Sequence, residues 1–368
     1  MSQIDWVKVR LKKTQEAIQH FLHSTEPAKT KILLCSHMEA KFIAFALLLK
    51  KEGYEVHLVS NLPTSLKVEF LDQIKTSGLQ FYDNSKMTFE KSEEFISQIV
   101  NENKFDFIFD DGGHTYSKMK EENERCICTE FTQSGINIAK EQKLKVPLVN
   151  LNSSITKSLV GNVHGTGISA LTAIQTITNI SFHGLNVGIV GFGPVGLSCA
   201  LSFKGANANV YSYDKNPSKK AIAEKHGISF VDKETLLKNC DLIITCTGRS
   251  SVISPDDSSL LRDGCILANV GHYNHEISLP LNSQTRNITE NIQEFNFEGK
   301  SVYLLSHGNL VNLAFGQGYP IQIIDLSFAA AIYAWVHFSK KHFPIGLYGY
   351  PNDLDVKYFQ KEIEIYKI

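Results

Sequence analysis

Three places in the chain carry residue types at spacings that suit chemistry. The first is Gly191-Phe192-Gly193-Pro194-Val195-Gly196, a G-x-G-x-x-G turn that follows an apolar run and opens a helical pattern. The first glycine permits a tight turn, the second lets backbone approach a pyrophosphate, and the third lets helix and strand pack closely, with the helix N-terminus facing the negative charge. Asp214 ends the next apolar run. A carboxylate there accepts hydrogen bonds from a ribose diol and repels a 2′-phosphate, so NAD is expected over NADP, although Lys215 and Lys219 stand nearby. A bare glycine pattern also suits an ordinary turn; strand, helix and spaced acid together make it a dinucleotide site. The second place is Asp111, which follows an apolar run and precedes Gly112-Gly113. The glycines leave room for a substrate to approach the carboxylate, and the same Asp-Gly pair equally suits a plain turn. The third is His37, at the end of another apolar run, where ligands usually bind in an α/β sheet; a histidine that merely starts a helix reads the same way.

The elements that must position these residues alternate strand and helix. Lys31–Ser36, Tyr54–Ser60, Phe105–Asp110 and Val146–Leu151 read as strands, with a helix over Glu39–Lys50 that Gly53 ends. Residues 1–30 read as an amphipathic leader helix and a connector. A second alternation runs through Gly184–Gly191, Asn209–Asp214, Asp241–Cys246 and Cys265–Val270, and Val302–Leu305 closes that sheet. Residues 161–182 read as one bridging helix, the polar stretch 281–300 as exposed, and Ile321–Phe338 as an apolar helix returning the chain to its first domain. Its Ala-rich part, 328–336, suits a core or a subunit interface. The expected fold class is α/β with two domains: a Rossmann-type doubly wound parallel sheet for NAD over 161–329, and an α/β substrate domain from 1–160 and 330–368.

Composition narrows the function. The 368 residues are 43% hydrophobic, enough for two cores, and 37 Lys+Arg against 38 Asp+Glu leave a net charge of -1. That balance argues against partners such as nucleic acid or an anionic membrane, which want clustered positive charge. No uninterrupted apolar stretch reaches the roughly 18–20 residues of a membrane span, and the N-terminus lacks a basic-then-apolar leader. Seven scattered cysteines with no Cys-x-x-Cys pair point away from a disulfide framework or a zinc site and towards a cytoplasmic location. Cys126-x-Cys128 reads as part of a helix face.

Beyond these patterns, an ordered set of segments resembles one family. Cys35-Ser-His37-Met38, Asp110-Asp111-Gly112-Gly113, Val149–Ser158 with its Thr156-Lys157-Ser158, the glycine turn, Asn269-Val270-Gly271-His272-Tyr273 and Leu310-Val-Asn312-Leu313 together are similar to S-adenosyl-L-homocysteine hydrolase. The resemblance implies a substrate domain built from the N-terminal part and a returning C-terminal piece, with an NAD domain inserted. It implies transient oxidation of the ribose 3′-carbon by tightly held NAD, removal of the acidified 4′-hydrogen, loss of the 5′-thiol, addition of water and return of the hydride. Carried over by motif, Asp111 is the base at the 4′-position, His37 assists the leaving group or water, Lys157 polarises or deprotonates the 3′-hydroxyl with Asn162 beside it, and His272 lies near nicotinamide and ribose. Thr132, Gly191, Gly193, Pro194, Val195, Gly196, Asp214, Thr247, Val270, Gly271 and Asn312 are the implied cofactor contacts. A homodimer or homotetramer and a small-molecule substrate are implied as well.

The chain departs from the family at substrate contacts. Gly161 stands where the family has an acid four residues after the lysine. The two family glutamates before the threonine run become Glu130 and Phe131, so the one that grips the ribose hydroxyls is lost. Glu39 and Lys41 replace a threonine and a glutamate at the adenine, Thr166 replaces a cysteine, and Gln317 and Tyr319 replace a methionine and a histidine. The chain ends at Ile368, without the family tail whose lysine and tyrosine reach a neighbouring subunit's NAD. Each lost charge-assisted hydrogen bond is worth ~1.5–3 kcal/mol, so the pocket changes point to an altered nucleoside or sugar thioether, with adenosylhomocysteine itself retained as an option. Two other readings are open at this point: a non-catalytic NAD-bound paralogue that binds a protein partner, and a conventional NAD-dependent dehydrogenase.

Overall fold

The computed structural model describes residues 2–66, 68–271, 275–314 and 316–365. It divides into two compact units, Met1–Val160 with Ile321–Ile368, and Gly161–Pro320.

In the first unit the chain begins with two helices, Gln3–Arg10 and Lys12–Leu22, rather than one leader helix, because Leu11 leaves helical geometry between them. Strands β1 (Lys31–Ser36), β2 (Glu55–Ser60), β3 (Gln80–Tyr82), β4 (Phe107–Asp110), β5 (Ile127–Glu130) and β6 (Pro147–Asn150) follow, with helices between most of them. Apart from the edge strand β3, their residues are almost all buried, as expected of parallel strands covered on both faces. Cys126 and Cys128 flank and enter β5 rather than a helix face; the run Cys126–Glu130 is fully buried, and its apolar-polar mix hid the strand.

The second unit repeats the pattern. Strands β7 (Asn186–Val190), β8 (Asn209–Tyr213), β9 (Ser229–Phe230), β10 (Leu242–Thr245) and β11 (Ile266–Asn269) are parallel. The stretch read as merely exposed is a hairpin, β12 (Gln284–Thr289) and β13 (Ile292–Phe297), and it joins β14 (Lys300–Leu305) antiparallel, so Val302–Leu305 does not end the sheet. The sheet order is β12-β13-β14-β11-β10-β7-β8-β9. That is a doubly wound Rossmann-type sheet whose order reverses between β7 and β10. The helix expected over 161–182 starts earlier and in two pieces: a π-helical run Thr156–Gly165 and an α-helix Thr166–Thr178, stopped by Asn179 in the left-handed region. Gly167 lets the second piece lie against the helix Pro194–Gly205: a Cβ there would sit 2.1 Å from the Ser198 carbonyl oxygen.

The chain re-enters the first unit at Ile321, nine residues before the expected 330, because Ile321–Ser339 is a single helix that packs as one piece on the N-terminal helix Lys12–Leu22. This helix is long and apolar enough by length and composition to cross a membrane, although Gln322, Asp325, Ser327 and His337 interrupt its apolar run, and 83% of its apolar window is buried. Its Asp325 carboxylate accepts the Lys13 and Thr14 N–H groups and the Thr14 hydroxyl, so the segment 328–336 is core rather than an exposed face. Strand β15 (Gly346–Gly349) then pairs parallel with β6, completing the order β15-β6-β5-β4-β1-β2-β3.

Candidate active site and nucleotide turn

In the first unit the order reverses between β1 and β4, and the residues at the carboxyl ends of those two strands meet. Asp111 follows β4. Its Oδ2 accepts the Ser36 hydroxyl at 2.7 Å and lies 4.0 Å from His37 Nε2, just past β1. From the end of β2, Asn61 donates to the Asp111 carbonyl at 2.9 Å and its amide nitrogen lies 3.4 Å from the same Nε2. Asp111 and Asn61 are buried and His37 nearly so. Asn61 carried no motif signal, and Ser36 stood in a matching segment with no role read for it; the strand register brings both to Asp111.

Two further carboxylates build this loop without facing its chemistry. Glu130, fully buried at the end of β5, accepts the Gly112, Gly113 and Thr132 N–H groups and the Thr132 hydroxyl. Gly112 and Gly113 hold φ of 112° and 80°, which a side chain would resist. Asp110, directly across the ladder from Glu130, accepts from His114, Thr115 and Tyr116. Burial pushes both acids above the ordinary carboxylate range, and Asp110 adds its repulsion to Glu130. His114 donates its Nδ1–H to the Glu93 carboxylate at 2.6 Å. Burial pulls its pKa down, but Glu93 and Asp110 outweigh that, and it stands above the usual histidine value.

Three substituted positions of this unit are also placed. Phe131, whose N–H donates to the Asp110 carbonyl, lies under Lys157: the Lys157 Nζ is 3.9 Å from the ring centroid, and both are buried. The Lys41 ammonium meets the Glu39 carboxylate at 3.0 Å, so the inverted charge is neutralised within one helical turn. Thr132 caps the helix Gln133–Glu141, accepting the Gly135 N–H at 3.0 Å, while its own hydroxyl is given to Glu130.

In the second unit the glycine turn lies where expected, between β7 and the helix Pro194–Gly205 with Pro194 in its first turn. Gly191 has φ of 95°, and a Cβ on Gly196 would be 1.9 Å from the Gly191 carbonyl oxygen. Gly193 has open space on its Cβ side, and Val195 is half-buried. Asp214 Oδ2 accepts the Phe192 N–H at 2.7 Å, which binds acid and turn into one piece. Thr247, after β10, gives its N–H and hydroxyl to Glu276, whose carboxylate also takes the Gly248 N–H. Glu276 had no sequence signal; a Cβ on Gly271 would meet its Oε1 at 1.6 Å. Burial raises the Glu276 pKa. Val270 is buried, and the Gly271 N–H is held by Asn269. Asn312 is buried, and its Oδ1 has no hydrogen-bond partner among the described residues. A backbone cradle at a helix N-terminus, a fixed acid and a buried amide oxygen awaiting a donor together fit NAD. Asn162 accepts the Tyr319 hydroxyl at 2.9 Å, and Tyr319 accepts from Thr166 at 3.3 Å, so two substituted positions join in one chain of hydrogen bonds. His272 lies outside the described residues.

Residues 162–318 match the family model described as S-adenosyl-L-homocysteine hydrolase, NAD binding domain. Over 98% of its length the chain is 30% identical to an adenosylhomocysteinase of Thermotoga maritima, covering 93% of that protein. It is 30% identical to an S-inosyl-L-homocysteine hydrolase of Methanothermobacter thermautotrophicus, over 96% of this chain and 88% of the relative. It is 33% identical to an adenosylhomocysteinase of Thermococcus kodakarensis, over 89% and 80% respectively. Likeness of this extent, across both units and with the glycine turn, the fixed acid and the buried amide oxygen in place, makes NAD the cofactor and places the chain in the S-adenosyl-L-homocysteine hydrolase family.

Proposed function

We propose that this chain hydrolyses a nucleoside 5′-thioether of homocysteine in which the base presents a carbonyl where adenine presents an amine. One observation carries the hydrolytic part: Asp111 and His37 share the carboxyl-end crevice of the first sheet at 4.0 Å, with Ser36 fixing the carboxylate. NAD, when bound, supplies reversible oxidation of the sugar's secondary alcohol carbon. Lys157 takes the hydroxyl proton. Asp111 removes the proton from the neighbouring carbon, which the adjacent carbonyl has made acidic. His37 delivers a proton to the departing sulfur and later takes one from the entering water.

The base preference is supported by Lys41. The family resemblance gives this position a carboxylate, which can only accept. An ammonium only donates, so it suits a carbonyl oxygen, and Glu39 keeps the pair neutral. The S-inosyl-L-homocysteine hydrolase among the relatives bears a name consistent with such a base. Phe131, in place of a ribose-gripping acid, covers the sugar with an apolar ring under Lys157. The family reading also carries a homodimer or homotetramer, which sedimentation velocity of the holo-protein checks.

The test is solvent exchange. In deuterated water the recovered nucleoside should carry deuterium on the carbon next to the oxidised one, and Asp111→Asn should abolish the label while leaving bound NAD in place. Product without deuterium would remove Asp111 from this role.

A further inference from the structure

We propose that Asp355, delivered by the returning end of the chain, is a positioning residue for Lys157. The inference rests on the role given to Lys157 above and deepens it.

Lys157 sits at the start of the helical run Thr156–Gly165. The first N–H groups of a helix have no partner within it, and here they are buried, so they must be met from outside. The local chain meets two: Ser154 Oγ accepts the Lys157 N–H at 3.1 Å and the Ser154 carbonyl accepts the Ser158 N–H at 2.9 Å. The N–H just before the run is met from about 200 residues downstream. Asp355 Oδ2 accepts the Ile155 N–H at 2.8 Å, and Oδ1 faces the Thr156 hydroxyl at 3.5 Å. The Thr156 hydroxyl in turn lies 3.2 Å from Ser154 Oγ. Asp355, Ser154 and Thr156 are each 0% exposed. One residue earlier, the Tyr350 N–H donates to Ser153 Oγ at 2.8 Å, and Ser153 donates to the Asn150 carbonyl. Strand β15 leads straight into these contacts, since Gly349 pairs with Asn150 at the end of β6.

The backbone leading into Lys157 is therefore held at two points, by Tyr350 at Ser153 and by Asp355 at Ile155 and Thr156. A carboxylate at a helix N-terminus is favoured by the aligned backbone dipoles, which suits an acid in this place rather than a neutral group. Asp355 touches no reacting atom. It fixes the backbone from which the Lys157 side chain reaches across the Phe131 ring.

The experiment uses the full-length holo-protein. Asp355→Ala should lower kcat about 10- to 100-fold, the scale of a displacement of about 1 Å at a catalytic group, with KM within about threefold and bound NAD unchanged. Asp355→Asn keeps an acceptor for the Ile155 N–H and should recover most of that loss. Should Asp355→Ala fail to fold, Ser154→Ala replaces it, with a kcat loss of about 3- to 10-fold expected. A readout independent of turnover is the rate at which acetic anhydride modifies Lys157, followed by mass spectrometry: it should rise in Asp355→Ala and return in Asp355→Asn. Unchanged kcat and unchanged Lys157 modification in Asp355→Ala would overturn the proposal, as would equal loss in the alanine and asparagine variants. Lys157→Ala separates the two levels. If it retains turnover, the catalytic role of Lys157 fails; if it loses turnover while Asp355 variants match the parent in both readouts, only the positioning role fails.

Discussion

The two sheets share one strand order. Read from one edge, β3-β2-β1-β4-β5-β6 and β9-β8-β7-β10-β11-β14 are the same doubly wound succession, and each puts its chemistry at the carboxyl ends of the strands flanking the reversal. They differ in what stands there. After β7 the second unit presents backbone: glycines whose missing side chains leave N–H groups open, with Asp214 as a brace. After β1 and β4 the first unit presents titratable side chains, His37 and Asp111, on a loop tied by buried acids. The same frame thus serves one site made of absent atoms and another made of charged ones. The first is closed to added bulk at Gly191 and Gly196; the second depends on its hydrogen bonds.

Substitutions should divide along that line. Gly196→Ala drives a Cβ into the Gly191 carbonyl and should weaken NAD retention at least ~100-fold, ~2.8 kcal/mol, read from the nucleotide released on denaturation. Retained NAD would mean that close packing does not define the turn. Asp111→Asn should keep NAD yet lower kcat by ~10²–10⁴-fold, measured with saturating substrate. If it sheds the cofactor instead, the sites are not separable. Glu130→Gln turns an amide group towards N–H donors and should cost about 1–3 kcal/mol of stability, seen as a lower thermal midpoint, with NAD content unaffected. An unchanged midpoint would remove the brace role of Glu130.

The smallest expected effect is a dependence on pH. His114 titrates above its usual value in the folded state, so its pairing with Glu93 stabilises the first unit fully below the unfolded histidine pKa and is lost as pH rises through the folded one. Glu93 is held below the ordinary glutamate range despite its burial, by its bonds to His114 and Lys118, so its contribution is present above that range. The thermal midpoint of the parent should exceed that of Glu93→Gln in mildly acidic buffer and approach it at alkaline pH. A gap that widens with rising pH would contradict this pairing.

What could be read from the sequence follows the same division. The glycine turn and Asp214 were legible because their constraint is local, steric and confined to one strand, turn and strand. The alternating fold was legible from apolar runs bounded by glycines. Strand β5 escaped because Thr129 and Glu130 interrupt its apolar pattern, and the hairpin β12–β13 because its outer strand is exposed throughout and reads as a loop. His37 and Asp111 stood out at the ends of apolar runs, and the family resemblance assigned their roles. Ser36, Asn61, Glu276 and Asp355 were not found, since each acts by a hydrogen bond across at least 28 residues of sequence, which no spacing rule encodes.

The most direct measurement mixes the NAD-loaded protein with S-inosyl-L-homocysteine and, separately, with S-adenosyl-L-homocysteine, and follows free thiol together with the redox state of the cofactor. The account predicts catalytic thiol release, faster with the inosyl compound, while NAD stays bound and is oxidised again at the end of each turnover. Absence of thiol from both thioethers, or NADH accumulating in step with product, would contradict it.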